Sequence, residues 1–245
     1  ADGGGTFASR NTVMAGNALR IAVEKLRAQC IELAALRWNR SPDQLSYGDG
    51  AVRDEDSGDV LSLAELAAFA APRTETGGLS ADGVWANENK LAFSSGAHAC
   101  LLGVDPETGE VELKKYALLE EVGRALNPAM VEGQSVGGLV MGLGGAFLDH
   151  MIYDDDGQLL TTNLADYLLP GSTGLPEITS IMREDYPSSS NPMGFKGVGE
   201  GGITSVAGAV GNAVAQALRG HGVEITQLPL SPARLHGLMS EARSN

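Results

Sequence analysis

The stretch Asn191-Pro192-Met193-Gly194-Phe195-Lys196-Gly197-Val198-Gly199-Glu200-Gly201-Gly202 carries glycines at 197, 199 and 202. That GxGxxG spacing matches the fingerprint of a dinucleotide-binding strand–turn–helix, and a helical pattern follows from Thr204 to Arg219. The fingerprint also needs a buried strand immediately upstream, because its glycines serve the turn that leaves that strand. Here the upstream residues are Ser188-Ser189-Ser190-Asn191-Pro192-Met193, a loop composition. Glu224 stands near the required distance downstream, but at the start of its predicted strand rather than its end. The reading turns away from a doubly wound parallel sheet and toward a mixed α+β fold.

Outward from this stretch, strands and helices alternate without repeats. Thr12 to Trp38 predicts an amphipathic helix with Leu19, Ala22, Leu26, Cys30 and Leu33 on its buried face. Leu45–Tyr47 and Ala51–Arg53 flank Gly48-Asp49-Gly50 as a hairpin, and Leu61 to Ala71 reads as a short helix stopped by Pro72. Residues 73 to 89 read as a long loop. Phe93–Val104 and Val111–Leu119 form a second hairpin around Asp105-Pro106-Glu107-Thr108-Gly109. After the break at Asn127-Pro128, a helix is expected from Val131 to His150. Short strands follow at Gln158–Thr161, Glu177–Met182 and Val223–Thr226, and a last helix starts at Pro232. The whole chain, 1–245, reads as one functional region with two subdomains that meet near 73–92.

Composition excludes several classes. There are 33 glycines in 245 residues, well above the usual share of about 7%, yet 43% hydrophobic and 20% charged residues describe a globular chain. The net charge of −14, from 17 basic and 31 acidic residues, argues against a basic face for nucleic acid or anionic membrane. Cys30 and Cys100 lack metal-ligand spacing, and His98, His150, His221 and His236 are scattered. The opening residues show no charged-then-apolar pattern, so a cytoplasmic location is expected, with the periplasm left open.

The glycines gather at three places near helix starts: Gly3-Gly4-Gly5, Gly133 to Gly145, and Gly194 to Gly202. Five of them, Gly137, Gly138, Gly142, Gly144 and Gly145, fall inside a predicted helix at about 1 kcal/mol each. Close packing offsets that cost, and so does a ligand that approaches the backbone. Free N–H groups at helix starts suit an anion without lysines, so three such loops in an acidic chain favour one extended anionic ligand. Glu200, flanked by Gly199 and Gly201, reads either as a solvated turn acid or as a tuned general base.

A wider series then comes into view. Gly5-Thr6-Phe7-Ala8-Ser9-Arg10-Asn11-Thr12 is followed by Asp105-Pro106-Glu107-Thr108-Gly109-Glu110-Val111, then by Val122-Gly123-Arg124-Ala125-Leu126-Asn127-Pro128 and Val131-Glu132-Gly133-Gln134. Tyr153-Asp154, Gly157 to Thr161, Asp166 to Pro170 and Asn191 to Gly202 complete it. The order resembles the C-terminal half of the molybdenum-binding subunit of the molybdenum hydroxylases, the family of xanthine dehydrogenase, aldehyde oxidase and bacterial carbon monoxide dehydrogenase.

That resemblance implies a molybdenum-dependent oxidoreductase. It would hydroxylate an aldehyde or N-heteroaromatic carbon with oxygen derived from water, with Glu200 as the catalytic base. The metal is expected on the dithiolene of a molybdopterin, in the cytosine dinucleotide form, so no protein metal ligands are needed. Gly5, Thr6, Phe7, Ala8, Ser9, Arg10, Asn11, Gln134, Lys196, Gly197, Val198 and Gly199 are the implied cofactor contacts. Lys196 reads equally as an orienter of Glu200, a phosphate contact or a surface lysine. Asn11 departs from the serine common in the family. The first half of the usual subunit is absent, which implies either a naturally split subunit or a processed product. The resemblance thus implies a partner chain carrying the N-terminal half, a [2Fe-2S] iron–sulfur subunit and an FAD subunit. A non-catalytic cofactor-binding or scaffold subunit is the alternative.

Overall fold

The computed structural model describes residues 5–74, 77–86 and 92–244. Gly3 and Gly4 of the first glycine cluster lie outside the described residues, as do residues 75, 76 and 87–89 of the 73–89 loop. The chain divides into two compact units, one of Ala1–Asn11 with Lys90–Asn245 and one of Thr12–Asn89.

In the Thr12–Asn89 unit, a π-helical turn at Thr12–Gly16 leads into α1, Asn17–Trp38. Its buried face runs through Asn17, Cys30, Ala34 and Ala35. Leu19, expected on that face, is 65% exposed, because the core of this unit packs only on the C-terminal half of α1, from Cys30 onward. Strands β1 (Leu45–Gly48), β2 (Ala51–Asp54) and β3 (Val60–Ser62) form an antiparallel sheet. The β1–β2 turn places Asp49 at φ 50 and Gly50 at φ 72, the positive pair that a two-residue hairpin needs. The predicted Leu61–Ala71 helix begins two residues late, as α2 (Leu63–Ala70). Val60–Ser62 instead pairs with β2, and Ser62 caps α2 in a reciprocal capping box with Glu65. Cys30, Val52, Leu61 and Leu66 meet in the core, so Cys30 is a packing residue.

The larger unit is built on β4 (Ser95–Val104), β5 (Val111–Glu121) and β6 (Glu177–Arg183). β4 and β5 pair antiparallel through the predicted turn, where Asp105 accepts from Glu107 N–H at 2.8 Å and Gly109 sits at φ 77. β6 joins β5 in parallel, Lys115 opposite Glu177. Helix α3 (Pro128–Phe147) starts earlier than expected. Asn127 accepts from Met130 N–H at 3.2 Å, and Pro128 occupies the first turn, where it loses no hydrogen bond. The helix expected over Thr204–Arg219 forms as α5 (Val206–Ala217), and a short α4 (Gly201–Thr204) precedes it across Ser205. α6 (Pro232–Ser244) closes the unit.

Two expected strands do not form. Gln158–Thr161 contributes a single bridge, Tyr153 to Leu159, because that segment turns back on Asp154 rather than meeting a sheet edge. Val223–Thr226 stays irregular while Val223 and Ile225 pack on the core, so burial without pairing produced the strand-like pattern. Tyr116, Leu118, Leu139, Leu143, Val206, Val210 and Val214 form the centre of that core. Two α3 glycines set its spacing: a Cβ at Gly138 would stand 3.1 Å from Ile203 N, and one at Gly142 only 2.6 Å from Val206. Among the described residues, no helix is long and apolar enough to cross a membrane.

Candidate active site

The fingerprint-like glycines follow an irregular segment, not a strand. Phe195 makes only an isolated bridge to Gly123. What holds the segment is a clamp at its base: buried Asn191 accepts from Phe195 N–H at 3.0 Å and donates to Phe195 O at 2.9 Å. Glu121 at the end of β5 is a second anchor, accepting from Gly123 N–H at 2.9 Å and Tyr186 N–H at 3.2 Å. Its other oxygen pairs with the Lys196 ammonium, so Lys196 is committed to an internal ion pair. Burial pushes the Glu121 carboxyl up, but Lys196 and the two N–H groups outweigh it and hold the group below the ordinary carboxylate range.

Past Lys196 the chain runs against the N-terminal turn. A Cβ at Gly197 would stand 2.6 Å from Ser9 Cβ and 2.8 Å from Ser9 O, so only glycine allows this approach. Ser9 Oγ accepts from Glu200 N–H at 3.0 Å and donates to Glu200 Oε2 at 3.0 Å. One hydroxyl thus binds the backbone and the carboxylate of the same residue. Thr204 Oγ1 donates to Glu200 O at 2.7 Å, which ties the residue from its other side. The remaining Glu200 oxygen, Oε1, has no hydrogen-bond partner among the described residues, and the residue is exposed.

The Ser9 turn is strained. Ala8 at φ 56 and Ser9 at φ 51 occupy adjacent left-handed positions, and Arg10 N–H donates to Phe7 O at 3.4 Å across them. Such conformations cost about 1–3 kcal/mol each in non-glycine residues and persist where surrounding contacts over-determine them. The two hydrogen bonds to Glu200 are such contacts. Arg10 lies over the Phe7 ring at 5.3 Å, and Phe7 is 64% exposed. Gln134 on α3 completes the cluster: a Cβ at Gly199 would touch both Gln134 Oε1 and Ser9 Oγ at 3.5 Å.

Ser9, Gln134, Gly197, Gly199 and Glu200 therefore come together from three separate stretches. Val198 forms the turn into α4 through Gly201 N–H to Val198 O at 3.0 Å. Gly5, Thr6 and Asn11 are exposed nearby along the N-terminal segment, and Gly5 takes φ 82. Residues that the sequence reasoning missed are Glu120, Glu121, Ser135 and Asn191, all buried beneath this cluster. Glu120 carried a usable signal, since it shares the buried side of β5 with Tyr116 and Leu118.

A family model for the molybdopterin cofactor-binding domain matches residues 1–176. The chain is 34% identical over 239 residues to the 6-hydroxypseudooxynicotine dehydrogenase complex subunit gamma of Paenarthrobacter nicotinovorans, covering 96% of this chain and 30% of that one. The structure of CO dehydrogenase from Oligotropha carboxidovorans superposes with a TM-score of 0.84 at 27% identity, over 100% of this chain and 31% of that one. Quinoline 2-oxidoreductase from Pseudomonas putida 86 gives 0.81 at 30% identity, over 96% of this chain and 30% of that one. The chain thus spans about 30% of the length of the relatives it matches.

Proposed function

We propose that this chain, which belongs to the molybdopterin cofactor-binding family of the molybdenum hydroxylases, supplies the general base for an oxidative hydroxylation in a multi-subunit enzyme. The observation that carries the reading is the Ser9–Glu200 closure: a carboxylate fixed through one oxygen, exposed through the other, on a turn bared of side chains by Gly199 and Gly201.

The residues fit a molybdopterin. Gly199 keeps open the gap between Ser9 and Gln134 that a Cβ would fill. Gly133 and Gly137 leave bare backbone on an exposed face of α3, with nothing within 4 Å of either position. The Ala8–Ser9 turn, Gln134 and Gly197–Gly199 would hold the group, and a cytosine nucleotide would extend it along the glycine-rich segments. When bound, the cofactor supplies the two-electron redox chemistry. Lys196, spent on Glu121, serves by fixing the loop rather than by meeting a phosphate.

Within this reading, Glu200 Oε1 accepts the proton released as oxygen is delivered to the substrate carbon. Ser9 Oγ–H stabilises the carboxylate through Oε2 and keeps it aimed. The balance is a C–H carbon and one water giving a C–OH carbon, two protons and two electrons. The electrons pass to an iron–sulfur subunit and then to an FAD subunit. The remainder of the molybdenum subunit, which the relatives carry beyond the matched region, would complete the pocket. The likeness to a quinoline 2-oxidoreductase favours an N-heteroaromatic carbon over an aldehyde.

The test is metal and pterin analysis of the purified complex with turnover of Glu200→Gln. The variant is expected to keep its molybdenum and to lose roughly 10²–10⁴ in kcat. Full turnover in loaded Glu200→Gln removes Glu200 from the role. A loaded wild-type complex that turns over nothing favours the scaffold alternative.

A further inference from the structure

Behind the Glu200 turn lies a buried carboxyl group that the proposed chemistry does not use. Glu120, near the end of β5, is 5% exposed. Its Oε2 accepts from Ser135 Oγ, a buried hydroxyl on α3. Its Oε1 has no hydrogen-bond partner among the described residues. That oxygen packs instead on the backbone of Gly201, where any Cβ would overlap the carboxyl. Gly202 meets the Ser135 carbonyl in the same way. Across the sheet, the residue directly opposite Glu120 on β4 is Gly96, which contributes no side chain there. A cavity of about 110 Å³ lies there, lined in part by His98, Thr204 and Ser205.

The two partners of Glu120 each adjoin a residue of the proposed site, since Ser135 follows Gln134 and Gly201 follows Glu200. We propose that Glu120 is a positioning residue: its carboxyl, pinned by Ser135, is the stop on which Gly201 seats, and it thereby sets where Glu200 stands relative to Gln134. The proposal rests on Glu200 being the base. A buried carboxylate with one bare oxygen costs more than the neutral acid would. Burial pushes the Glu120 carboxyl up, against the smaller opposing effect of Ser135. The same contact accounts for glycine at 201, because a larger residue would drive the carboxyl off Ser135 into the cavity or lift the turn away from it.

The test is a double-mutant cycle in the full complex. Gly201→Ala and Glu120→Ala are each expected to lower kcat about tenfold, with KM within about twofold and molybdenum content unchanged. The double variant should be no slower than the worse single one, because the new methyl enters the space the carboxyl vacated. Glu120→Gln, which keeps the shape without a charge, should stay within about threefold of wild type. A second readout is independent of turnover: hydrogen exchange of the 197–203 peptide should rise in Glu120→Ala and not in Glu120→Gln. Additive kcat losses, or unchanged exchange in Glu120→Ala, overturn the proposal. Loss of the Glu200 assignment alone would leave the exchange result and its dependence on Glu120 standing.

Discussion

Helix α3 and the 194–202 turn are two glycine-rich segments of the larger unit, and they use the residue for different ends. In α3, Gly138 and Gly142 let other helices approach: the Gly202–Ile203 backbone would lie 3.1–3.2 Å from a Cβ at 138, and the Val206 side chain 2.6 Å from one at 142. In the turn, Gly197 and Gly201 let polar groups approach, the Ser9 backbone in one case and the Glu120 carboxyl in the other. α3 also contains a third kind, Gly133 and Gly137, with open space where a Cβ would stand. A high glycine count is thus three physical causes added together, and substitution by alanine separates them.

The largest effect is expected in the turn. Gly197→Ala should push Ser9 off Glu200 and cut kcat by about 10², since a displacement near 1 Å at a reacting group costs that much. Turnover near wild type would mean that the Ser9 contact does not position the base. Next is the charge that holds the turn. Lys196→Met strands a carboxylate that is 9% exposed and should cost about 3–5 kcal/mol, read as a lower Tm of the complex at pH 7. The sign with pH follows from Glu121. Its folded pKa is lowered, so its stabilisation is present above the unfolded value of about 4.3 and is lost as pH falls through the folded value. The Tm gap between wild type and Lys196→Met should therefore narrow on acidification, and a gap constant from neutral to strongly acid pH would refute the pairing.

The smallest effects compare two glycines of α3. Gly142→Ala overpacks against Val206 and should cost about 1–3 kcal/mol without changing kcat per molybdenum. Gly137→Ala gains up to about 1 kcal/mol of helix propensity in open space. A fall in its pterin content without a fall in Tm would mark that face as ligand-facing, and unchanged pterin content would mark it as bare surface.

Sequence patterns located the elements that local chemistry dictates. The Asp105–Gly109 and Asp49-Gly50 turns formed as expected, because turn residues specify their own backbone. The N-terminus of α3 lies three residues before Val131: Asn127-Pro128 reads as a break, but an Asn cap followed by Pro is also a helix start. Val223–Thr226 lacks a strand because alternation reports burial, not pairing, and Gln158–Thr161 because its segment folds back on Asp154, with Leu160 52% exposed. At the site, the glycine spacing singled out Glu200. Nothing local marked Ser9 as its partner, since the two are 191 residues apart.

What the sequence determined by itself was therefore short-range. It specified which turns and caps form, that a loop and not a strand precedes Gly197, and that glycine clears the space around Glu200. These depend on backbone preferences within a few residues. Only the tertiary structure decided that β6 joins β5 in parallel, that Lys196 pairs with Glu121, and that Glu120 lies buried against Gly201. Those outcomes depend on which distant groups share a desolvated space, where a carboxyl group must find a proton, a cation or an N–H donor, and chain order does not encode which one it meets.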